Sequence, residues 1–309
     1  MELIKKVNNM NIDINIKKEP IIFNGKEIRI YNINDKGHYP SVTTILDIDN
    51  SYMDWSIHVK NAKEILLYAQ TVGTIAHWRI QNFLADKWNV PNIDLELSKI
   101  QQQKYNEWFN KFPYDTCHFG IELTIEKIMD IFEDWYYTYK PELPLNKKNK
   151  QNLNIYPFEK IIYSHKFCYA GSIDIIASIL FKKNKRLNCL LDIKTSDSEK
   201  ISFKLQTVAY LYALKEIYPE IDIDEIRIIQ IQKSIKHYNY FFRKWKKPIE
   251  YYWKMWLKLL GLYYLKYGNE YPLSLYKNTV LTNIKNEGID LSNSEYVSEE
   301  ELMNESENI

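Results

Sequence analysis

Two runs of alternating side chains constrain this chain more than any other feature. Residues 166–180 carry Ile173, Ile175, Ala177 and Ile179 at every second position, and residues 187–194 carry Leu187, Cys189, Leu191 and Ile193 in the same way. Alternation with period two marks strands that bury one face. Between them Lys182-Lys-Asn-Lys-Arg186 is a polar, charged turn. The two runs therefore read as an antiparallel hairpin, in which facing residues have numbers of constant sum. An even sum places Asp174 and Asp192 on one face, because a slip of one residue turns every side chain over. Lys194 joins them, while Ile173, Ile175, Leu191 and Ile193 point the other way into a core. An odd sum separates the two carboxylates.

Two acids and a lysine on one strand face, in Gly171-Ser-Ile-Asp174 and Asp192-Ile-Lys194-Thr-Ser196, suit a hard divalent cation. Mg²⁺ prefers oxygen ligands and keeps several waters. Two carboxylates and the carbonyl of Ile193 leave room for a phosphate and a water. A metal so held polarises a phosphoryl oxygen and acidifies bound water. Lys194 is placed to orient that water and to stabilise developing charge, with a pKa open to lowering by desolvation or neighbouring cations. Either triplet alone is common; an acid at the end of an apolar strand is costly unless it has a partner or a metal.

Further residues join the pattern. Residues 202–217 read as an amphipathic helix capped by Ser202, with Gln206 and Tyr210 four apart on one face. Upstream, Gly73-Thr-Ile-Ala-His77 reads as the opening of another helix, with Thr74 as N-cap, His77 in the first turn, and Trp78 and Phe83 toward the core.

Taken in order, Pro40-Ser-Val-Thr-Thr-Ile-Leu46, Gly73-Thr-Ile-Ala-His77, Gly171-Ser-Ile-Asp174, Asp192-Ile-Lys194-Thr-Ser196 and Gln206-x3-Tyr210 resemble the PD-(D/E)xK nuclease superfamily. The likeness is to its RecB-like exonuclease branch, and especially to the mitochondrial genome maintenance exonucleases and related phage nucleases. It spans about residues 38–215. It implies an α/β, restriction-endonuclease-like core: a central mixed sheet flanked by helices, with a helical N-terminal elaboration. It implies a Mg²⁺- or Mn²⁺-dependent deoxyribonuclease of DNA replication, recombination or repair, acting on single strands or DNA ends. A structure-specific or restriction-like endonuclease and a catalytically inactive nucleic-acid binder are the rival readings. By the resemblance His77, Asp174, Asp192 and the Ile193 carbonyl hold metal, and Lys194 is the catalytic lysine. Gln206 and Tyr210 complete the site, and Ser41, Thr43, Thr195 and Ser196 lie near DNA. Glu159, at the start of the first core strand, is a second-shell acid at most.

The chain departs from some relatives in that branch, which hold a four-cysteine iron–sulfur cluster. It has only Cys117, Cys168 and Cys189, so four thiolate ligands cannot come from one chain and no cluster is expected. Cys168 and Cys189 read as small apolar residues on core strands. Sparse cysteines fit a reducing compartment. No run reaches transmembrane length without charges, and Met1-Glu-Leu-Ile-Lys-Lys lacks a signal peptide's apolar stretch. The expectation is a cytoplasmic protein of a bacterium or a phage-infected host, with DNA and no membrane as partner. Abundant Ile, Asn, Lys and Tyr fit an AT-rich genome.

The net charge of +1 hides an asymmetry. Residues 276–309 carry two lysines against eight acids, net −6, which leaves +7 on the preceding 275 residues. A moderately basic body suits a phosphate backbone. Residues 276–309 read as an acidic, disordered tail. Residues 1–35 read as an N-terminal segment with a hairpin turning at Asn24-Gly25. Residues 36–275 form the nuclease domain, with a helical insertion at about 90–150. Helices are expected over 41–88 in pieces broken near Asp49-Asn50 and at Gly73, over 95–112, over 120–139, and over 249–267. A late strand is expected at 225–232. Lys182–Arg186 and Arg243-Lys-Trp-Lys-Lys247 are the two basic segments available to nucleic acid, the second with an aromatic ring to stack on bases.

Overall fold

The computed structural model describes residues 16–23, 26–33, 37–49, 62–90, 121–146, 149, 151–153, 155–232 and 239–292. In chain order the elements are β1 (Ile16–Phe23), β2 (Lys26–Ile33), β3 (His38–Pro40), α1 (Val42–Leu46), α2 (Ala62–Trp88) and α3 (Ile121–Tyr139). They continue with β4 (Phe158–Ser164), β5 (Tyr169–Phe181), β6 (Lys185–Lys194) and α4 (Ile201–Ile217). β7 (Glu225–Ile231), β8 (Tyr240–Arg243), α5 (Ile249–Tyr267) and α6 (Lys277–Asn286) complete the set.

The alternating runs pair as expected. Ile175 stands opposite Leu191 and Phe181 opposite Lys185, a constant sum of 366. The sum is even, and continuing it sets Asp174 opposite Asp192. A short 3-10 turn at Lys182–Asn184 closes the hairpin, with Lys183 and Asn184 at positive φ. β4 pairs antiparallel with β5, while β7 lies parallel to β6 because α4 carries the chain back between them. β8 closes the order β4-β5-β6-β7-β8. The result is a mixed α/β fold with a five-stranded mixed sheet flanked by helices.

Each sheet face has its own core. On one, α2 and α3 bury Val72, Ile80, Leu84, Ile125, Phe132 and Trp135 against Ile175, Ala177 and Leu191. On the other, α4, α5 and α6 bury Val208, Trp256, Leu260 and Ile284 against Ile173, Ile176 and Leu190. The two N-terminal strands pair antiparallel, with Phe23 opposite Lys26, while the expected turn residues Asn24 and Gly25 lie outside the described residues. β3 extends the pair to a three-stranded sheet, and its Tyr31, Ile33 and Tyr39 enter the second core. α3 buries the predicted stripe of Ile121, Ile125, Ile128, Ile131 and Trp135. Among the described residues no helix is long and apolar enough to cross a membrane.

Several expectations need correction. Gly73 does not open a helix, nor is Thr74 a cap: both lie inside the continuous α2. An interior glycine costs about 1 kcal/mol relative to alanine. Val72, Ala76, Ile80 and Leu84, four apart and fully buried, anchor the helix across it. Ser202 does not cap α4, which begins at Ile201 after Lys200 without a side-chain cap. The acidic segment is not a tail from residue 276. Lys277–Asn286 is helical and buries Val280 and Ile284, and Ile289 and Leu291 pack on the same core. Cys168 precedes β5 in a turn at φ 49°, not on a strand, although it is buried. Ile173 and Ile175 do not share a face; the sheet reverses its facing between them. The helix at 95–112, the break at Asn50 and Cys117 lie outside the described residues.

Candidate metal centre

The reversal of facing creates the site. Phe158 and Ile162 of β4 are four apart yet bury in opposite cores, as Ile173 and Ile175 do on β5. The register is uninterrupted on both sides, with Phe158 opposite Ile175 and Lys160 opposite Ile173. No residue is inserted; instead Glu159 takes φ 40°, the left-handed region. For a residue with a Cβ this costs about 1–2 kcal/mol, a kind of strain that clusters at functional sites. Continuing the count between those pairs sets Glu159 against Asp174 where the strands turn over, and their carboxylates meet within 4.8 Å.

Three groups converge there. His77, Glu159 and Asp174 each offer a ligand atom, all within 4.8 Å of one another. His77 Nε2 is 3.0 Å from the Ile193 carbonyl. A carbonyl only accepts, so Nε2 carries the proton, and in the neutral ring Nδ1 presents a lone pair. That lone pair faces Asp174 Oδ2 at 3.6 Å. Two acceptors set face to face are reconciled by a cation. Burial lowers the His77 pKa, and Lys194 lowers it further against the opposing pull of Glu159 and Asp192. Neutral imidazole, the metal-binding form, is thereby favoured. Asp174 Oδ2 also accepts the Ile193 N–H at 2.7 Å. Glu159 accepts from Gln81 Nε2 at 3.0 Å and from Ser172 Oγ at 2.7 Å. Gln81 lies one helical turn after His77 on α2, so one helix face supplies a ligand and the group that orients its neighbour.

Asp192 and Lys194 face α4. Lys194 Nζ lies 2.8 Å from Asp192 Oδ2 and donates to Gln206 Oε1 at 3.1 Å. Gln206 Nε2 in turn donates to the Tyr210 hydroxyl at 2.9 Å. The glycine of Gly171-Ser-Ile-Asp174 has a steric reason: a Cβ there would stand 2.3 Å from Tyr210 Cε1. Asp192 is fully buried, and burial pushes its carboxyl up to about 6 against the pull of Lys194. Its Oδ1 has no hydrogen-bond partner. A buried carboxylate oxygen without a donor is expensive. The sequence left the lysine's pKa open to lowering by desolvation or neighbouring cations. Burial does act in that direction, but Asp192 and Asp174 outweigh it and hold Lys194 above the ordinary lysine value.

Seven of the residues singled out in the sequence therefore meet at one place: His77, Asp174, Asp192, Ile193, Lys194, Gln206 and Tyr210. The other four lie around it. Ser41 caps α1 through Thr44 N, touches Thr43 Oγ1 at 2.9 Å, and bridges to Ala170 of β5. Thr195 packs on Gly73, and Ser196 Oγ turns inward to Ser198 O. Glu159 is closer to the centre than its sequence suggested, and Gln81 and Ser172 were not singled out. The spacing of Gln81 from His77 was the available signal. Phe203, whose ring lies 5.2 Å from Lys194 Nζ, was also passed over. The second basic segment is engaged within the fold: Arg243 pairs with Glu199, Lys244 with Glu225, and Trp245 is buried.

The donor set fits a hard divalent cation. Two carboxylates and an imidazole offer ligand atoms within 4.8 Å of one another, and the neighbouring buried Asp192 keeps an oxygen without a donor. No protein-family model matches the chain, and no curated protein matches it.

Proposed function

We propose that the chain is a Mg²⁺- or Mn²⁺-dependent deoxyribonuclease of PD-(D/E)xK type that hydrolyses phosphodiesters from DNA ends or in single strands. One observation carries the reading: His77, Glu159 and Asp174 gather within 4.8 Å beside the Asp192–Lys194 ion pair, whose charges act on Asp174, and a buried Asp192 oxygen is left without a donor. The mixed sheet flanked by helices, with the acids on adjacent strands, supports it.

His77, Glu159, Asp174 and Asp192 would hold the metal, with the Ile193 carbonyl at hand through its second lone pair. When bound, such an ion polarises the phosphoryl group and acidifies water. The protein's own groups do the rest. Lys194 stays protonated beside two carboxylates and presents its positive charge to the pentacovalent phosphate. Gln206 fixes its direction, and Tyr210, whose phenol burial keeps protonated, fixes Gln206. Glu159, held by Gln81 and Ser172, and Asp174, held by the Ile193 amide, keep their oxygens aimed without rearrangement.

The test compares wild type with Asp192→Ala on end-labelled linear DNA and on closed circles, with Mg²⁺ or Mn²⁺. Metal-dependent cleavage of linear DNA by wild type alone supports the reading. Equal cleavage by both proteins removes this site. Cleavage of the circles turns the reading to an endonuclease. Binding without cleavage across substrates turns it to a binder.

A further inference from the structure

The six residues between Lys194 and α4 join the lysine to the helix bearing its partners Gln206 and Tyr210. They are tied at both ends to β7 and β8. Gln230 is directly beside Lys194 in the parallel β6–β7 pair and is fully buried. A buried amide is costly unless both its ends are bonded. Here both are: Nε2 donates to Ser196 O at 2.8 Å, and Oε1 accepts from Arg243 Nε at 2.7 Å. A carbonyl only accepts and an arginine only donates, so the amide has one orientation. The same guanidinium donates from Nη1 to Glu199 Oε2 at 3.0 Å, and the other oxygen of Glu199 meets Lys204 Nζ at 2.9 Å. Gln232 Nε2 adds a bond to Asp197 O at 3.1 Å.

We propose that Gln230 and Arg243 are positioning residues that brace the Thr195–Glu199 connection and so set Lys194 against Gln206. The inference rests on the nuclease reading for its catalytic consequence, and on the bonds above for its structural one. Arg243 spans both ends of the connection through one planar fork: Nε serves the Ser196 end through Gln230, and Nη1 serves Glu199, two residues before α4 begins. Lysine lacks that fork and cannot serve both. Ion pairing within the fold also commits Arg243 and Lys204 to the connection rather than to phosphate.

The experiment uses the full chain as wild type, Gln230→Leu and Arg243→Lys. Arg243 is part-exposed; its replacement leaves one buried acceptor of Gln230 short of a donor, and urea unfolding of each variant confirms that it is folded in the assay. Hydrogen exchange of peptides covering residues 195–200 is read beside kcat and KM on labelled DNA with Mn²⁺. Expected in both variants are faster exchange in that segment and a kcat lower by roughly 10- to 100-fold, with KM within about threefold. Unchanged exchange at 195–200 in Arg243→Lys overturns the brace. So does a rise in KM with kcat unchanged, which marks a DNA contact instead. If wild type does not cleave DNA, the nuclease reading falls, and the exchange measurement alone decides the brace.

Discussion

Gly171→Ala is the sharpest perturbation of the site, because it adds one methyl group and changes no charge. The new Cβ would lie 2.3 Å from Tyr210 Cε1 and 3.1 Å from Cδ1 and Cζ, where ordinary contact begins at 3.4 Å. The ring must retreat by about 1 Å, the difference between the closest approach and ordinary contact. It has little room: Tyr210 is buried in the core beneath α4, and its hydroxyl is bonded to Gln206. Overpacking of this kind costs about 1–3 kcal/mol. The retreat also unseats Gln206 and hence Lys194, so kcat on labelled DNA should fall by roughly 10- to 100-fold. The assay is urea unfolding of wild type, Gly171→Ala, Tyr210→Ala and the double variant. With the ring gone the methyl meets nothing hard, and Gly171→Ala should then cost less than about 0.5 kcal/mol, a coupling of about 1–3 kcal/mol across the cycle. Equal costs of Gly171→Ala in both backgrounds would refute the contact as the reason for glycine.

Other outcomes follow from the same geometry. Asp192 has a folded pKa of about 6 against a reference of 3.8, so its stabilising contribution is complete below pH 3.8 and lost as pH rises through 6. At about 1.4 kcal/mol per pH unit this is worth about 3 kcal/mol. Without metal, Asp192→Asn should flatten the fall in stability between pH 4 and 7, measured by urea unfolding; an unchanged slope counts against the buried carboxylate. Mn²⁺ at 100 times its Kd should stabilise wild type by about 3 kcal/mol, read as a rise in melting temperature, and Glu159→Gln should lose most of that rise. If Glu159→Gln responds as wild type does, Glu159 is not a ligand. Lys194→Gln should lower kcat by roughly 100-fold or more while leaving DNA binding within a few fold, and equal losses in both would show a binding role. Ile284→Ala should cost about 2–5 kcal/mol, since Ile284 is fully buried. A change under 0.5 kcal/mol would return residues 277–286 to the status of a dispensable tail.

Local order made much of this molecule legible. Period two in 175–179 and 187–193 was enough for the hairpin, and the helices at 121–139 and 249–267 followed from their apolar stripes. Local rules failed where packing overrode them. Four buried residues on one stripe of α2 carry the helix through Gly73, and two buried side chains hold α6 in an acidic segment. Glu159 was undervalued because its importance comes from a backbone reversal that no side-chain pattern announces.

By itself the sequence determined which groups were available, two acids and a lysine on adjoining strands, and the condition under which they meet. A period of two residues makes that condition one of parity wherever the strands keep their facing, and at Asp174 the reversal of facing adds to it. Only the tertiary structure decided that the parity is even, that Glu159 joins His77 and Asp174, and that Asp192 is buried deeply enough to lift its carboxyl to about 6. Those outcomes depend on residues more than a hundred positions apart, His77 against Ile193 among them. Contacts across such distances are set by how two cores close on one sheet, which no local window of the chain contains.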